Sequence, residues 1–426
     1  MSMSNSLIKI GFLLLVFLLL GASPGSRDAA LRDLIDEALK NSPDIQASQA
    51  RIEAAKYRVP QVMSLPDPLI SVGYQNEGFD RYSYGQEQGS QWMFSASQQF
   101  LFPGKRALKG DSATRDVEAF EDLHELLKLK TAARVKELYY DLFLAHKNID
   151  LIEDKREVFA RIEELTLARY SSGKAMQQEV LMAQTEKYML LEKEEMLKQK
   201  IQSLEAMLGA TLGRQKPNSL PVPVEPHYRV VPLTANEAVE KALQHSPEIK
   251  YRSKMIESAV TKHRMAKKEY FPDFAINAGY FNRARDYKDM WSAAATINIP
   301  LYFISKQQPA VSEANANINL ARQELAATKL IIAAAVKDNY SMLRSAEKLM
   351  DIYKNGLIPK NRQDMEQALT NYSAGKADAA TVISRLKTLL DYETLYVNQL
   401  VEREKAISRL QAIAAGLDAA TGGEKQ

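Results

Sequence analysis

The feature that most constrains this chain is an internal repeat. The segment Glu37 to Ile45 (EALKNSPDI) returns as Lys241 to Ile249 (KALQHSPEI), and Pro66-Asp67 with Gly73-Tyr74 returns as Pro272-Asp273 with Gly279-Tyr280. Tyr170 to Ala175 (YSSGKA) returns as Tyr372 to Ala377 (YSAGKA), so three matches follow one another at offsets of 204, 206 and 202 residues. Residues 29–212 and 234–416 therefore read as two copies of one unit. Residues 213–233 join them, and Pro217, Pro221, Pro223, Pro226 and Pro232 forbid a helix there and favour an extended path.

Both copies run through the same patterns. A helical segment of about 35 residues, Ala29 to Met63 and Ala235 to Tyr270, is rich in Ala, Glu, Lys, Gln and Arg; it is expected to stop at Pro60, Pro66 and Pro68, or at Pro272. Two segments of period two follow, which is the signature of strands. In the first copy Ile70, Val72 and Tyr74, then Trp92 and Phe94, share the apolar phase. In the second copy Ile276 and Tyr280, then Trp291 and Ile297, do the same. Ser, Gln, Asn, Thr and Gly fill most of the opposite phase.

Helix then resumes after Pro103-Gly104 and after Pro300 and continues without proline or glycine from Asp111 to Ser172 and from Ala310 to Asn355. Gly356 and Pro359 predict a kink in the second run. From Lys105 or Lys306 to the YSxG motif is about 68 residues, roughly 100 Å of helix at 1.5 Å per residue. A returning helix of about 37 residues follows each motif, and Leu138, Leu142, Ala145, Ile149, Ile152 and Phe159 keep the four-three spacing of coiled-coil packing, as do Leu190, Leu197, Ile201, Leu204 and Leu208. Lengths of this kind describe the wall of a long helical tube. Four strands cannot close a barrel, whose smallest form needs about eight. Either several chains contribute to one barrel or the sheet stays open with free edges. Three copies would give twelve strands, with Ile70, Val72, Tyr74, Trp92, Phe94, Ile276, Tyr280, Trp291 and Ile297 facing lipid.

Residues 1–26 read as a signal peptide: Lys9, the apolar run Ile10 to Leu20, then Gly21, Ala22 and Ser23. That run is shorter than the roughly 20 residues of a membrane-spanning helix, and the next longest apolar run is only Leu330 to Val336. Residues 417–426 read as a flexible tail. With 56 Lys and Arg against 53 Asp and Glu, the formal charge of +3 gives no reason to expect nucleic acid as a partner. Cysteine is absent, which removes disulfides, thiolate ligands and an acylated N-terminal cysteine.

With these patterns in place the chain resembles the TolC family of outer-membrane efflux channels over its whole mature length. The resemblance is carried by the paired EALKNSPDI and KALQHSPEI starts, by PDPLISVGY and FPDFAINAGY, by Phe102 to Arg106 (FPGKR), and by the paired tips Arg169 to Gln184 and Asn371 to Arg385. It implies a mainly α fold with a small β part: a trimeric 12-stranded β-barrel in the outer membrane, continued by a long α-helical barrel in the periplasm. It implies a homotrimer that contacts outer-membrane lipid, docks a periplasmic adaptor (membrane fusion) protein and serves an inner-membrane pump of the resistance-nodulation-division type. The PDP and FPGKR segments are most similar to the heavy-metal efflux branch. Carried over residue by residue, the adaptor-docking tips are Tyr170, Ser172, Gly173 and Lys174 with Tyr372, Ser373, Gly375 and Lys376. The family's periplasmic gate uses acidic residues six positions beyond the tip glycine. Here Glu179 inherits that role, and Thr381 occupies the matching position of the second copy.

The residues offer no catalytic constellation and no cofactor site, so an enzyme is not expected. His124, His146, His227, His245 and His263 make no metal-binding pattern. Met176, Met182, Met189 and Met196 recur at six or seven residues and are read as helix packing rather than a soft-metal relay. Gly104-Lys105 lacks the remaining residues of a phosphate loop. Gly173 and Gly375 read as helix C-caps, with Asp378 capping the returning helix of the second copy where Met176 in the first has no such side chain. The competing readings are a periplasmic adaptor, which would have one hairpin between strand-rich domains, and a coiled-coil scaffold of the cell envelope, which would need no amphipathic strands.

Overall fold

The computed structural model describes residues 24–214, 220–228, 231–284 and 286–414. The expected signal peptide (all but its last three residues), part of the linker and the 417–426 tail lie outside the described residues. The first half of the chain forms α1 (Pro24–Asn41), α2 (Pro43–Met63), β1 (Leu69–Gln75), β2 (Gln91–Phe100), α3 (Lys105–Ser171) and α4 (Gln177–Thr211). The second forms α5 (Ala235–His245), α6 (Pro247–Lys268), β3 (Asp273–Asn282), β4 (Met290–Asn298), α7 (Gln307–Asp351), a π-helical segment (Ile352–Leu357), α8 (Ile358–Ser373) and α9 (Ala379–Ile413). The order helix, helix, strand, strand, long helix, returning helix thus occurs twice. Described linker residues 220–228 and 231–233 belong to no helix or strand.

The expected 35-residue helices are each two helices. Ser42 (φ −58°, ψ 125°) and Ser246 (φ −58°, ψ 124°) leave the helical region because a following proline clashes with a helical ψ. Pro43 and Pro247 then serve as first residues of α2 and α6, where the missing N–H costs nothing. Pro60 does not stop α2 either: it lies in the exposed last turn, where it removes a single ladder bond, and the helix ends at Met63 ahead of Pro66. α6 likewise ends at Lys268, two residues before the expected Tyr270.

α3 is one helix of 67 residues, about 100 Å long. It starts earlier than the glycine-free run and takes in Gly110, where a Cβ would stand 2.5 Å from Met63 Sδ and force that side chain to move. The second long run, of 45, 6 and 16 residues, matches α3 in length. Its expected irregularity is the π-helical segment, where Gly356 loosens the backbone and Pro359 cannot donate to the previous turn.

The helices pack side by side in the order α2, α3, α6, α7, with α9 lying against both α3 and α7. Three buried clusters run along the rod. One holds Leu138, Leu142, Leu204 and Leu208, a second Phe159, Ile162, Leu190 and Leu386, and a third Val336, Leu343, Ile407 and Leu410. The heptad positions read from sequence, Ile149 excepted, fall in or against the first two. The four methionines do not: Met176, which precedes α4, is 72% exposed and Met196 64%, and Met182 and Met189 are also exposed. Within the single chain they are not packing filler.

Candidate functional site

The four strands form one antiparallel sheet in the order β1-β2-β3-β4. Directly paired residues share a face, so the register fixes the two faces. Ile70 pairs with Ala96, Val72 with Phe94 and Tyr74 with Trp92; Phe94 also pairs with Tyr280, Ile276 with Gln98 and with Ala295, Tyr280 with Trp291, and Phe274 with Ile297. All nine residues expected to face lipid therefore lie on one face. Eight of them are exposed and Tyr74 is half-buried beneath Tyr82 and Trp92. Ser71, Ser95, Ser97, Asn277, Ser292 and Thr296 take the other face, where the Asn277 side-chain amide donates to Thr296 Oγ1 at 2.8 Å.

Aromatic rings gather at both ends of this sheet. Tyr74, Tyr82, Tyr84 and Trp92 cluster at the loop end with centroids 4.9 to 6.4 Å apart. Phe100 stacks on Phe274 (5.3 Å) and Phe102 on Phe271 (4.6 Å) at the helix end. The loop between β1 and β2 is held by Asn76, whose side-chain oxygen accepts from Tyr74 Oη, Ser83 N and Ser83 Oγ while its amide donates to Gly78 O and Arg81 O.

At the strand-helix joint the FPGKR segment is structural. Lys105, 4% exposed, pairs with Asp273 at 3.0 Å and Glu269 at 3.1 Å, Phe102 N donates to Asp273 Oδ1 at 2.8 Å, and Arg106 Nε donates to Met63 O at 2.6 Å. Lys105 and Arg106 thus fasten the first copy's joint to β3 and to α2, and Arg106 is the only one of the two left partly exposed.

The YSxG motifs lie at the opposite end of the rod. Both form the same helix stop: Gly173 (φ 72°) and Gly375 (φ 76°) take the left-handed conformation, Lys174 N donates to Arg169 O and Lys376 N to Asn371 O, each at 2.8 Å, and the glycine N–H donates one residue further on, to Tyr170 O and Tyr372 O. Ser172, Gly173, Lys174, Ser373, Gly375 and Lys376 are exposed, and Tyr170 is 44% exposed. Tyr372 is fully buried, so it supports the tip from below and offers no surface to a partner. Its hydroxyl donates to Thr166 Oγ1 at 2.9 Å, Arg169 donates to its carbonyl and lies over its ring at 4.5 Å, and burial raises its phenol above the ordinary value.

Glu179, the residue matched to the gate, joins the two hairpins: its carboxylate accepts from Met176 N at 3.5 Å and from Ala379 N at 3.2 Å, thereby standing at the N-termini of both α4 and α9. It supplies the cap that Met176 cannot. Asp378 caps α9 as expected, accepting from Thr381 N at 2.9 Å, and hydrogen bonds from the Thr381 side chain and backbone hold its carboxyl below the ordinary value. Thr166 was not singled out in the sequence and Arg169 only opened the tip motif without a role, although the copies differ there: their counterparts are Ala368 and Asn371.

Among the described residues no group of three or more His, Asp or Glu could hold a metal ion, and no helix is long and apolar enough to cross a membrane. The model of the family of outer membrane efflux proteins matches residues 34–214 and 238–423. The fold is similar to that of solved membrane-protein structures, two of them described as outer-membrane proteins. VceC from Vibrio cholerae is 19% identical with a TM-score of 0.76 over 91% of this chain and 96% of that one. A membrane protein from Pseudomonas aeruginosa is 16% identical (TM-score 0.81, 91% and 90% covered), and the open state of the MtrE channel from Neisseria gonorrhoeae 14% (0.72, 91% and 89%). No curated protein sequence matches the chain.

Proposed function

The chain belongs to the outer membrane efflux protein family, which the TolC resemblance indicated, and from that premise we propose that it is the outer-membrane exit duct of a tripartite efflux pump. Three copies would close a twelve-stranded barrel, and residues 29–212 and 234–416 of each would supply two hairpins to a tube of helices in the periplasm. The observation that carries the reading is the two-faced sheet: nine large aliphatic or aromatic residues lie on one face, and mostly hydroxyl, amide and small side chains on the other, where Met93, Phe281 and Met290 form one apolar row at the loop end. Such a sheet is stable only between lipid and water.

Cargo would pass without chemistry, from a periplasmic adaptor and an inner-membrane pump of the resistance-nodulation-division type, through the helical tube, to the exterior. The adaptor would meet the ring of exposed tip residues Ser172, Gly173, Lys174, Ser373, Gly375 and Lys376, with Tyr170 beside them. Glu179 would narrow the periplasmic mouth. Heavy-metal ions are the cargo class favoured by the PDP and FPGKR resemblance. The buried ion pairs of Lys105 give FPGKR a structural reason of its own, so that argument rests on resemblance alone.

Two measurements test this. Heat-modifiable migration of the detergent-extracted protein, with envelope fractionation, reports the barrel; recovery in a carbonate-soluble periplasmic fraction would refute it. Susceptibility of a deletion strain to copper, silver, zinc, cobalt and cadmium salts, beside dyes and detergents, reports the cargo. Sensitivity to dyes alone would refute the metal assignment and leave the duct standing.

A further inference from the structure

The hydroxyl-bearing face of the sheet is polar along most of its length and changes character at one level. Gly73, Met93, Phe281 and Met290 pair across all four strands in a single row near the loop end, above a row of Ser71, Ser95, Gly279 and Ser292. Met93 and Phe281 lie along the wall and close its gaps. A Cβ at Gly73 would stand 3.3 Å from Met93 Cε, and one at Gly279 would stand 3.3 Å from Phe281 Cε2. Met290 is 41% exposed, and Met93 and Phe281 are half-buried. An apolar strip thus crosses the whole width of the sheet on the face that the exit-duct reading gives to water, where lipid cannot reach it.

Beyond the row stand Gln75, Gln91 and, just past the end of β3, Arg283. Gln91 is 9% exposed; its amide donates to Gln75 Oε1 at 3.2 Å, and its own Oε1 is buried without a hydrogen-bond partner. Arg283 donates to Met290 Sδ, which ties its guanidinium to the row, and its Nε is likewise buried without a partner. Asp289 accepts from Arg283 N at 3.0 Å, but it precedes Met290 in the phase of the opposite face and is engaged there by Tyr280 Oη. Along the strands the water face carries no charge except Asp273, which Lys105 holds. The Arg283 guanidinium therefore sets the sign of charge beside the apolar strip.

We infer that this level of the lumen is a contact site for amphipathic organic anions: the apolar body of the solute lies on Met93, Phe281 and Met290, and its sulfonate or carboxylate accepts from Arg283. The inference rests on the exit-duct reading and adds to it a place and a chemical class. Twelve strands about 4.8 Å apart and tilted by about 40° make a barrel about 24 Å across, and side chains about 5 Å deep on each side leave about 14 Å. A hydrated metal ion crosses that width without touching the strip, so the site is independent of any metal cargo. An aromatic or fused-ring anion gains by lying against it, because the polar rows on either side offer no competing apolar surface and the thioethers adapt to varied shapes.

The chain supplies its own reporter, since its two tryptophans, Trp92 and Trp291, adjoin Met93 and Met290 in sequence. The full-length protein in lipid nanodiscs is titrated with anilinonaphthalene sulfonate, and energy transfer from tryptophan is read after subtraction of empty nanodiscs. Saturable transfer is expected, displaced by naphthalene sulfonate and not by the cation ethidium. Met93→Ser with Phe281→Ser should weaken binding about tenfold, and so should Arg283→Gln, whereas Arg283→Lys should retain most of it. Ser292→Ala, one row away, should bind as wild type. Heat-modifiable migration checks insertion of each variant, and Met290→Gln, a milder change that should also weaken binding, replaces the double variant if that one fails to insert. Displacement by ethidium as readily as by the sulfonate overturns the anion class. Transfer that is not saturable, or that no variant of the row or of Arg283 weakens, places the probe in the lipid and overturns the site while leaving the duct intact. A wild-type protein that does not insert at all overturns the duct reading itself.

Discussion

Replacing Gly375 by valine isolates what the tip turn contributes. At φ 76° an ideal Cβ would meet only Arg169 Nη1, at 4.0 Å, so the cost is in the backbone and not in a clash. Left-handed geometry costs an L-residue about 1 to 2 kcal/mol, and a β-branched side chain falls at the upper end. The turn escapes that strain by giving up the Gly375 N to Tyr372 O and Lys376 N to Asn371 O bonds, and with them the carbonyl that Arg169 grips. If the adaptor docks on the native turn, the same 1 to 2 kcal/mol appears as an affinity lowered about five- to thirty-fold. The sheet lies roughly 100 Å away along α3 and should not respond. Gly375→Asn, which tolerates the left-handed region, should stay close to wild type. The assay is in vivo cross-linking to the adaptor from cysteines placed at Ser172 and Ser373, run beside trimer recovery and export. Cross-linking and export unchanged in Gly375→Val, or trimer lost with them, would refute the assignment of these turns as a dedicated docking surface.

Phe94→Arg should lose membrane insertion at a cost of about 2 to 4 kcal/mol near mid-depth, whereas Ser95→Arg on the opposite face should insert; equal tolerance, read by heat-modifiable migration, would mean the faces are reversed. Lys105→Met strips Asp273 of a buried partner and should cost about 3 to 5 kcal/mol in resistance to thermal or urea unfolding, with Lys105→Met/Asp273→Asn recovering part of it. The Asp378 carboxyl titrates below its ordinary value in the folded chain, so its stabilising effect is full above about pH 4 and is lost as pH falls through the folded value. Asp378→Ala should therefore cost about 0.5 to 2 kcal/mol at neutral pH, and chemical denaturation should show the gap to wild type closing below about pH 4.

Most of the architecture was legible because it is written in periodicities. Period two in Ile70 to Gln75 and Trp92 to Gln99, and the four-three spacing from Leu138 to Phe159, depend on local geometry that a sequence displays directly. Prolines were harder to read, since their effect depends on position within a turn. Pro43 starts a helix, Pro60 is tolerated in one, and only Pro66 ends it, distinctions that lie in the hydrogen bond each would remove. The tips divide similarly. The left-handed glycines follow from YSxGKA, but which of two equivalent tyrosines is buried depends on Thr166 and Arg169 having been exchanged for Ala368 and Asn371 in the other copy. Repeats hide such differences, because matching motifs draw attention away from the unmatched residues beside them.

The pairing of β2 with β3 has a consequence for the order in which the chain acquires its structure. About 170 residues separate those strands, and contacts of such sequence separation are slow to form when the intervening chain is loose. Here the intervening chain is the long helix α3, the returning helix α4 and the consecutive helices α5 and α6, and packing α3 against α6 returns the end of β2 to the start of β3. The Lys105 to Asp273 pair then pins the two strands at one end before any ladder bond is required. Local helices, which form fast, thereby carry out the search that the sheet would otherwise make alone. Strands with an exposed apolar face would then come together last, which would shorten the time they stand open to wrong partners in water.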